Sequence, residues 1–347
     1  MLDKTKKYST MNQIKNHTKF ALKKRKLKGI HLQNLDKIYA GRFLISIRFM
    51  EKAQLPPYKG STIRGAFGNA FRRATCITAR SECASCLLRE TCVYSYVFET
   101  PIPENTDKMR LYTHAPHPFI IEPPLDTRTQ YNPGDTLSFH VTLIGKAFEY
   151  LPYFVLAFME MGQRGLGRHR AKYVLTEVWD MHPDGKTKIY DSQSEVLGKR
   201  RKILFSDMID GLSIGDSVQM EFITPTRIQY KGRITQKLDF HVILRNLLRR
   251  IGNMMYFHCQ TEPDIKFKDL ISRSEDIRIA HSTLSKYSWQ RYSSRQDRKM
   301  SFDGMTGTCE YQGDLEPFSN ILKIGEYLHV GKATAFGLGK YRIMQAL

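Results

Sequence analysis

Phe43, Ile45, Ile47 and Phe49 alternate with polar or smaller neighbours, the period of two expected for a strand with one buried face. A turn, Leu55-Pro56-Pro57-Tyr58-Lys59-Gly60, follows, and a helix then starts near Ser61 with Ile63, Ala66, Phe67, Ala70 and Phe71 on one face. Leu137, Phe139, Val141 and Leu143 predict a second strand, entered through the turn Asn132-Pro133-Gly134-Asp135. Tyr150 to Met161 reads as an apolar helix, and Arg170 to Trp179 as the strand that closes the unit. The second half repeats this order. Val218, Met220 and Phe222 mark a strand, Leu238 to Phe257 an amphipathic helix, His281 to Tyr292 and Met305 to Tyr311 a strand pair, and Pro317 opens a last helix bearing Phe318, Ile321, Leu322 and Tyr327.

Both closing helices run into glycine loops. One contains Gly165-Leu166-Gly167 and the other Gly337-Leu338-Gly339, 172 residues further on. A repeat of that length indicates a duplicated domain, not a solenoid. Each half reads strand, helix, two strands, helix, loop, strand, so the expected class is α+β with tandem ferredoxin-like, RRM-like domains. The predicted boundaries are a basic arm over 1–28, a first domain over 29–185 with a cysteine insertion at about 74–95, and a second domain over 186–347.

Charge adds a partner. The chain has 347 residues with 54 Lys and Arg against 34 Asp and Glu, a net charge of +20, which points to a polyanion. Residues 1–28 carry few apolar positions and no periodicity, and read as a disordered arm without the apolar core of a secretory signal. No apolar run approaches the roughly eighteen residues of a membrane span, so the expected setting is the cytoplasm with no membrane partner. Glycines permit close backbone approach to a phosphate, and interleaved cations add charge. Arg164, Arg168, Arg170, Gly331, Lys332, Gly337, Gly339 and Lys340 are therefore the expected phosphate ligands. Phe336 is read either as a base-stacking ring or as the anchor of its loop. Arg291 and Arg295 mix with aromatic residues in a manner suited to RNA.

Cys76, Cys83, Cys86 and Cys92 fall within one short stretch, and Cys83-Ala84-Ser85-Cys86 has the two-residue spacing of a metal knuckle. This predicts a structural zinc site, with an iron–sulfur cluster as the alternative. Cys259 and Cys309 stand apart and read as buried fillers.

Tyr58-Lys59-Gly60-Ser61-Thr62-Ile63-Arg64-Gly65-Ala66-Phe67-Gly68, the cysteine cluster, the run Arg291 to Gln296, and His329-Val330-Gly331-Lys332 leading to Phe336-Gly337-Leu338-Gly339 together resemble a known family. They are similar to the CRISPR-associated endoribonucleases of the RAMP superfamily that process precursor crRNA, in a branch carrying the cysteines. The resemblance implies binding of CRISPR repeat RNA by the two domains. It also implies cleavage without a metal or other cofactor, by attack of a ribose 2′-OH to leave a 2′,3′-cyclic phosphate and a 5′-OH. The rival role within the same superfamily is a crRNA-binding subunit of an effector complex that does not cut. By resemblance the site lies between the first helix and the last glycine loop. No histidine occurs between Gly41 and Thr113, which departs from members that carry one on that helix. The expected catalytic set is thus His329 as acid or base, Lys59 or Arg64 for charge, and Tyr58 as a proton donor. The alternative for His329 is a residue closing the preceding helix.

Overall fold

The computed structural model describes residues 34–344, apart from 79–81, 104–105, 107, 110–111, 113, 210–212, 263–265 and 294–297. The basic arm and Arg295 lie outside the described residues, and Arg291 is described only in its backbone.

The first domain is built from β1 (Tyr39–Phe49), α1 (Gly60–Thr75), β2 (Phe119–Glu122), β3 (Thr136–Ile144), α2 (Leu151–Arg164), β4 (Tyr173–His182) and β5 (Gly185–Asp191). Its antiparallel sheet has the order β2-β3-β1-β4-β5. The first four strands in that order are those of a ferredoxin-like unit. The alternation in β1 works as read: Ile45 faces Phe139 and Ile47 faces Leu137 across the β1–β3 ladder, all four buried. The two helices cover this face. Phe67 of α1 lies 4.7 Å from the ring of Phe158 and 5.1 Å from that of Phe154, both on α2. Burying such a ring contributes about 1.5–3 kcal/mol, so α1 is fixed mainly by one aromatic seam.

The second domain repeats the plan with β6 (Ser217–Thr226), α3 (Phe240–Cys259), β7 (Arg278–Ser282), β8 (Ser285–Ser293), β9 (Arg298–Gln312), α4 (Ser319–Leu328) and β10 (Tyr341–Met344). Sheet order is β7-β9-β6-β10, the same pattern, with β8 extending the pairing along β9. The tandem ferredoxin-like fold is therefore present.

One reading needs correction. The boundary at 185/186 cuts the β4–β5 hairpin, in which His182 pairs with Gly185. Ile203–Leu204 also pairs with β1, so the first sheet extends past residue 200. The strand β2 gives no period-two signal because Phe119, Ile120, Ile121 and Glu122 are all buried. Ile120 joins the core of the second domain while Phe119 and Ile121 join that of the first, so this short strand bridges both cores.

Candidate functional site

The last glycine loop is shaped by the protein before any ligand. At Gly339, with φ +72°, an added Cβ would lie 1.8 Å from the Val330 carbonyl oxygen. At Gly337, with φ +81°, it would meet Pro123 at 2.6 Å and the Ile121 carbonyl at 2.7 Å. Both need glycine for left-handed backbone and for close packing. Val330 N–H donates to Gly339 O, Lys332 N–H to Arg227 O and Gly339 N–H to Pro225 O. Much of the loop's hydrogen bonding is thus spent within the chain.

The loop docks on the start of α1. Tyr58 donates its hydroxyl to the Phe336 carbonyl at 2.7 Å, and the backbone at Gly60 leaves no room for a side chain beside that same oxygen. Burial raises the Tyr58 phenol far above its ordinary range. Lys59 is fully buried, its ammonium held by the Asp126 carbonyl at 2.8 Å and carboxylate at 3.1 Å. Both therefore frame the site. Neither offers the proton or the charge to a substrate that the sequence suggested.

His329 is corrected on the same ground. It closes α4 with φ 58°, is 0 % exposed, and its Nδ1 meets Leu338 O at 3.0 Å. Its Nε2 lies 3.8 Å from Glu122. Burial lowers its pKa, opposed in part by Glu122. The ring is built into the closure of α4, with Glu122 beside its other nitrogen, which is the helix-closing alternative. Glu122 is the hub beside it, accepting from Arg42 at 2.9 Å and Lys340 at 2.6 Å. Burial works to raise the Glu122 carboxyl, but His329, Arg42 and Lys340 together hold it well below its ordinary range. Lys340 is thereby committed to a carboxylate rather than offered to phosphate.

Arg64 sits at the centre of what remains. Its guanidinium lies 4.5 Å from the Phe98 ring centroid, 5.4 Å from that of Phe119 and 5.2 Å from that of Phe336. Phe336 thus anchors the loop through its carbonyl and also shares an aromatic cage around a cation. Arg64 Nη2 is 3.3 Å from His117 Nε2. Because guanidinium can only donate, Nε2 must accept, which puts the ring proton on Nδ1. That Nδ1 is buried and has no partner among the described residues. Burial, then the Arg64 charge, lowers His117 to about 3, so the ring is neutral.

Beside this pair opens a cleft of about 690 Å³. It is walled by His117, by Arg249 and Arg250 of α3, by Lys108, and by Lys332 and Phe336 of the loop. Arg250 is buried and spans to the Leu328 carbonyl through Nε, while its Nη2 has no partner among the described residues. Burial lowers it to about 10, still cationic at neutral pH. Lys332 is exposed, with its ammonium 5.9 Å from the Tyr112 ring centroid.

The first glycine loop borders a different hollow. Gly165, Gly167, Arg164 and Arg170 line a groove of about 1240 Å³ between α1 and α2, together with Arg72 and Arg73. No residue lines both hollows. The two loops are equivalent in fold but do not form one clamp. Arg168 is exposed at the tip of the first loop.

Sequence reasoning missed His117, Arg249 and Arg250 as a set. The arginines read as the polar side of an amphipathic helix, and His117 stood in a proline-rich loop without a periodic signal. The signal that could have found Arg250 was its neighbourhood, since Leu247, Leu248 and Ile251 are apolar around it.

The likeness to known proteins agrees with this geometry. Residues 38–202 match a family model described only as an N-terminal domain. Residues 220–341, which carry α3, α4 and the glycine loop, match the family described as CRISPR-associated endoribonuclease Cas6. The second domain is thus similar to that family. It is similar to an uncharacterized protein of Archaeoglobus fulgidus, 23 % identical over 309 residues that make up 85 % of this chain and 94 % of the relative. Among solved structures it is similar to a Cas6 product complex, with TM-score 0.55 and 16 % identity over 88 % of this chain and 100 % of that one. It is also similar to a partial Cas6-RT-Cas1–Cas2 complex, with TM-score 0.54 and 13 % identity over 89 % of this chain and 46 % of that one. At such identities the structural likeness is one of fold. Among the described residues, no helix is long and apolar enough to cross a membrane.

Proposed function

We propose that this chain binds CRISPR repeat RNA in the α3–glycine-loop cleft and cuts it there to produce crRNA. The step is attack of a ribose 2′-OH on the adjacent phosphate, without a metal, leaving a 2′,3′-cyclic phosphate and a 5′-OH. The observation that supports this most is the neutral His117 ring, locked by Arg64 and with no partner for its Nδ1–H among the described residues, on the wall of a cleft that also carries a buried Arg250. Arg250, Arg249 and Lys332 supply the charge that a phosphodiester backbone needs. The Nδ1–H of His117 donates a hydrogen bond to a phosphoryl oxygen, a form of stabilisation worth about 10²–10³ in rate, while the 2′-OH proton passes to water and the departing 5′-oxygen takes a proton from water. The remaining acceleration comes from holding the 2′-OH in line with the scissile bond.

A second reading is supported by the burial of Lys59 and His329 and by the Tyr58 hydroxyl being bound to the Phe336 carbonyl. With three of four expected groups built into the frame, a subunit that holds crRNA for a CRISPR complex without cutting it is the rival. Incubation of the protein with repeat RNA in chelator, followed by mapping of the product ends, separates the two. A single cut with cyclic-phosphate and 5′-hydroxyl ends supports cleavage. Tight binding with intact RNA replaces it with the holding role.

A further inference from the structure

The loop that follows α1 has a task that its own packing does not explain. It leaves α1 at Cys76, which closes the helix in extended conformation with its N–H on Arg72 O at 2.8 Å. It returns at Cys92, whose carbonyl accepts from Tyr96 N–H at 2.9 Å as the next helical turn begins. Between these points its large apolar side chains do not form a core: Ile77 is 85 % exposed and Leu87 94 %. Turn hydrogen bonds hold it instead, among them Cys86 N–H to Cys83 O at 3.2 Å and Arg89 N–H to Cys86 O at 3.0 Å. Such a segment has too little buried apolar surface to offset its ordering entropy.

The four thiols of this loop face one hollow of about 300 Å³, lined by Cys76, Cys83, Cys86 and Cys92. None of them is in a disulfide. The Thr78 hydroxyl stands between two of the sulfurs, 3.7 Å from Cys76 Sγ and 3.8 Å from Cys86 Sγ. Cys83 and Cys86 are joined by a tight turn, with the two-residue spacing of thiolate knuckles. Among the described residues, no three donor groups converge closely enough to hold an ion as they stand. Ligation therefore requires the sulfurs to move inward, in a segment whose Ile77 and Leu87 are exposed and not packed in a core.

We propose that Cys76, Cys83, Cys86 and Cys92 bind one zinc ion as a tetrathiolate. The ion is structural: four protein ligands leave no open position for water. Binding displaces the thiol protons, and its free energy orders the loop. What it secures is the route from the end of α1 to the segment 92–99. Along that route Arg72 stacks on Tyr94 with 5.5 Å to the ring centroid, and Phe98 lies against Arg64. Tyr96 meets His258 of the second domain at 3.0 Å. The site thus braces the aromatic cage around Arg64 from behind.

The test uses the full chain. Metal analysis of the purified protein is expected to give one zinc per chain. Titration with a thiol reagent should modify the four loop cysteines only after chelator is added. Addition of cobalt(II) to the chelator-treated protein should produce the sulfur-to-cobalt charge-transfer bands of a tetrahedral thiolate site, and these should be absent in Cys83→Ser. The wild-type measurements stand even if that variant fails to fold. Zinc well below one per chain together with four freely reacting thiols and no cobalt spectrum would overturn the proposal. So would iron with acid-labile sulfide, which would make the site a cluster. The outcome is independent of RNA cleavage, so its failure leaves the proposed function standing.

Discussion

Glu122→Gln tests whether the glycine loop is fastened by charge. The substitution keeps the side-chain shape on β2 but removes the carboxylate that accepts from Arg42 at 2.9 Å and Lys340 at 2.6 Å. Removing one partner of a fully buried pair costs about 3–5 kcal/mol, because the other charge is left unpaired. Here the carboxylate is buried at 5 % side-chain exposure, while the cations are 25 % and 23 % exposed and can recover some hydration. The expected loss therefore falls below that range, at about 2 kcal/mol. Urea denaturation read through tryptophan fluorescence gives the figure, and a double-mutant cycle with Lys340→Met isolates the pair across the domains. The sign with pH follows from the depressed carboxyl. Its contribution is present above the ordinary carboxylate range and is lost as the pH falls through the folded value. Wild type and Glu122→Gln should accordingly converge in acid. A loss below about 0.5 kcal/mol at neutral pH, or full additivity with Lys340→Met, would refute the hub.

Gly339→Ala places a Cβ 1.8 Å from a backbone oxygen at φ +72°, so the loop must move. It should cost about 3 kcal/mol or more in urea denaturation and abolish RNA binding; a stable, binding-competent variant would contradict the loop's packing role. Lys332→Ala removes an exposed cation from the cleft wall. It should weaken RNA binding across sequences and reduce the slope of log K against log salt by about one, measured by filter binding at several salt concentrations. An unchanged slope would place the RNA elsewhere.

The parts of the fold that were legible in sequence are those where one face is buried and the other wet. Strand β1 and helix α1 show this in Phe43 to Phe49 and Ile63 to Phe71, and the shared Gly-Leu-Gly triplets announced the duplication. Strand β2 was illegible because Ile120 and Ile121 serve two different cores, leaving no alternation to read. The candidate site was less legible than the fold. Lys59 and His329 look like chemistry in sequence because burial cannot be seen there, and long-range partners such as Asp126 and Glu122 turn them into structure. His117 had the opposite fate. Only the meeting of α1 with the proline-rich loop makes it the acceptor of Arg64 and fixes its tautomer. The glycines were correctly singled out, but the force that selects them is contact of backbone with backbone.

The central claim is that His117, and not His329, is the imidazole that serves the cut. The direct measurement is the single-turnover cleavage rate of repeat RNA in chelator for His117→Ala and His329→Gln, followed from about pH 6 to 8 in wild type. The account predicts a fall of about 10²–10³ for His117→Ala with RNA binding retained, and a wild-type rate that does not decline as the pH rises, since the working ring is already neutral. His329→Gln should lose stability and keep its rate where it is folded. Full activity in His117→Ala, or loss of the chemical step in folded His329→Gln, would contradict it.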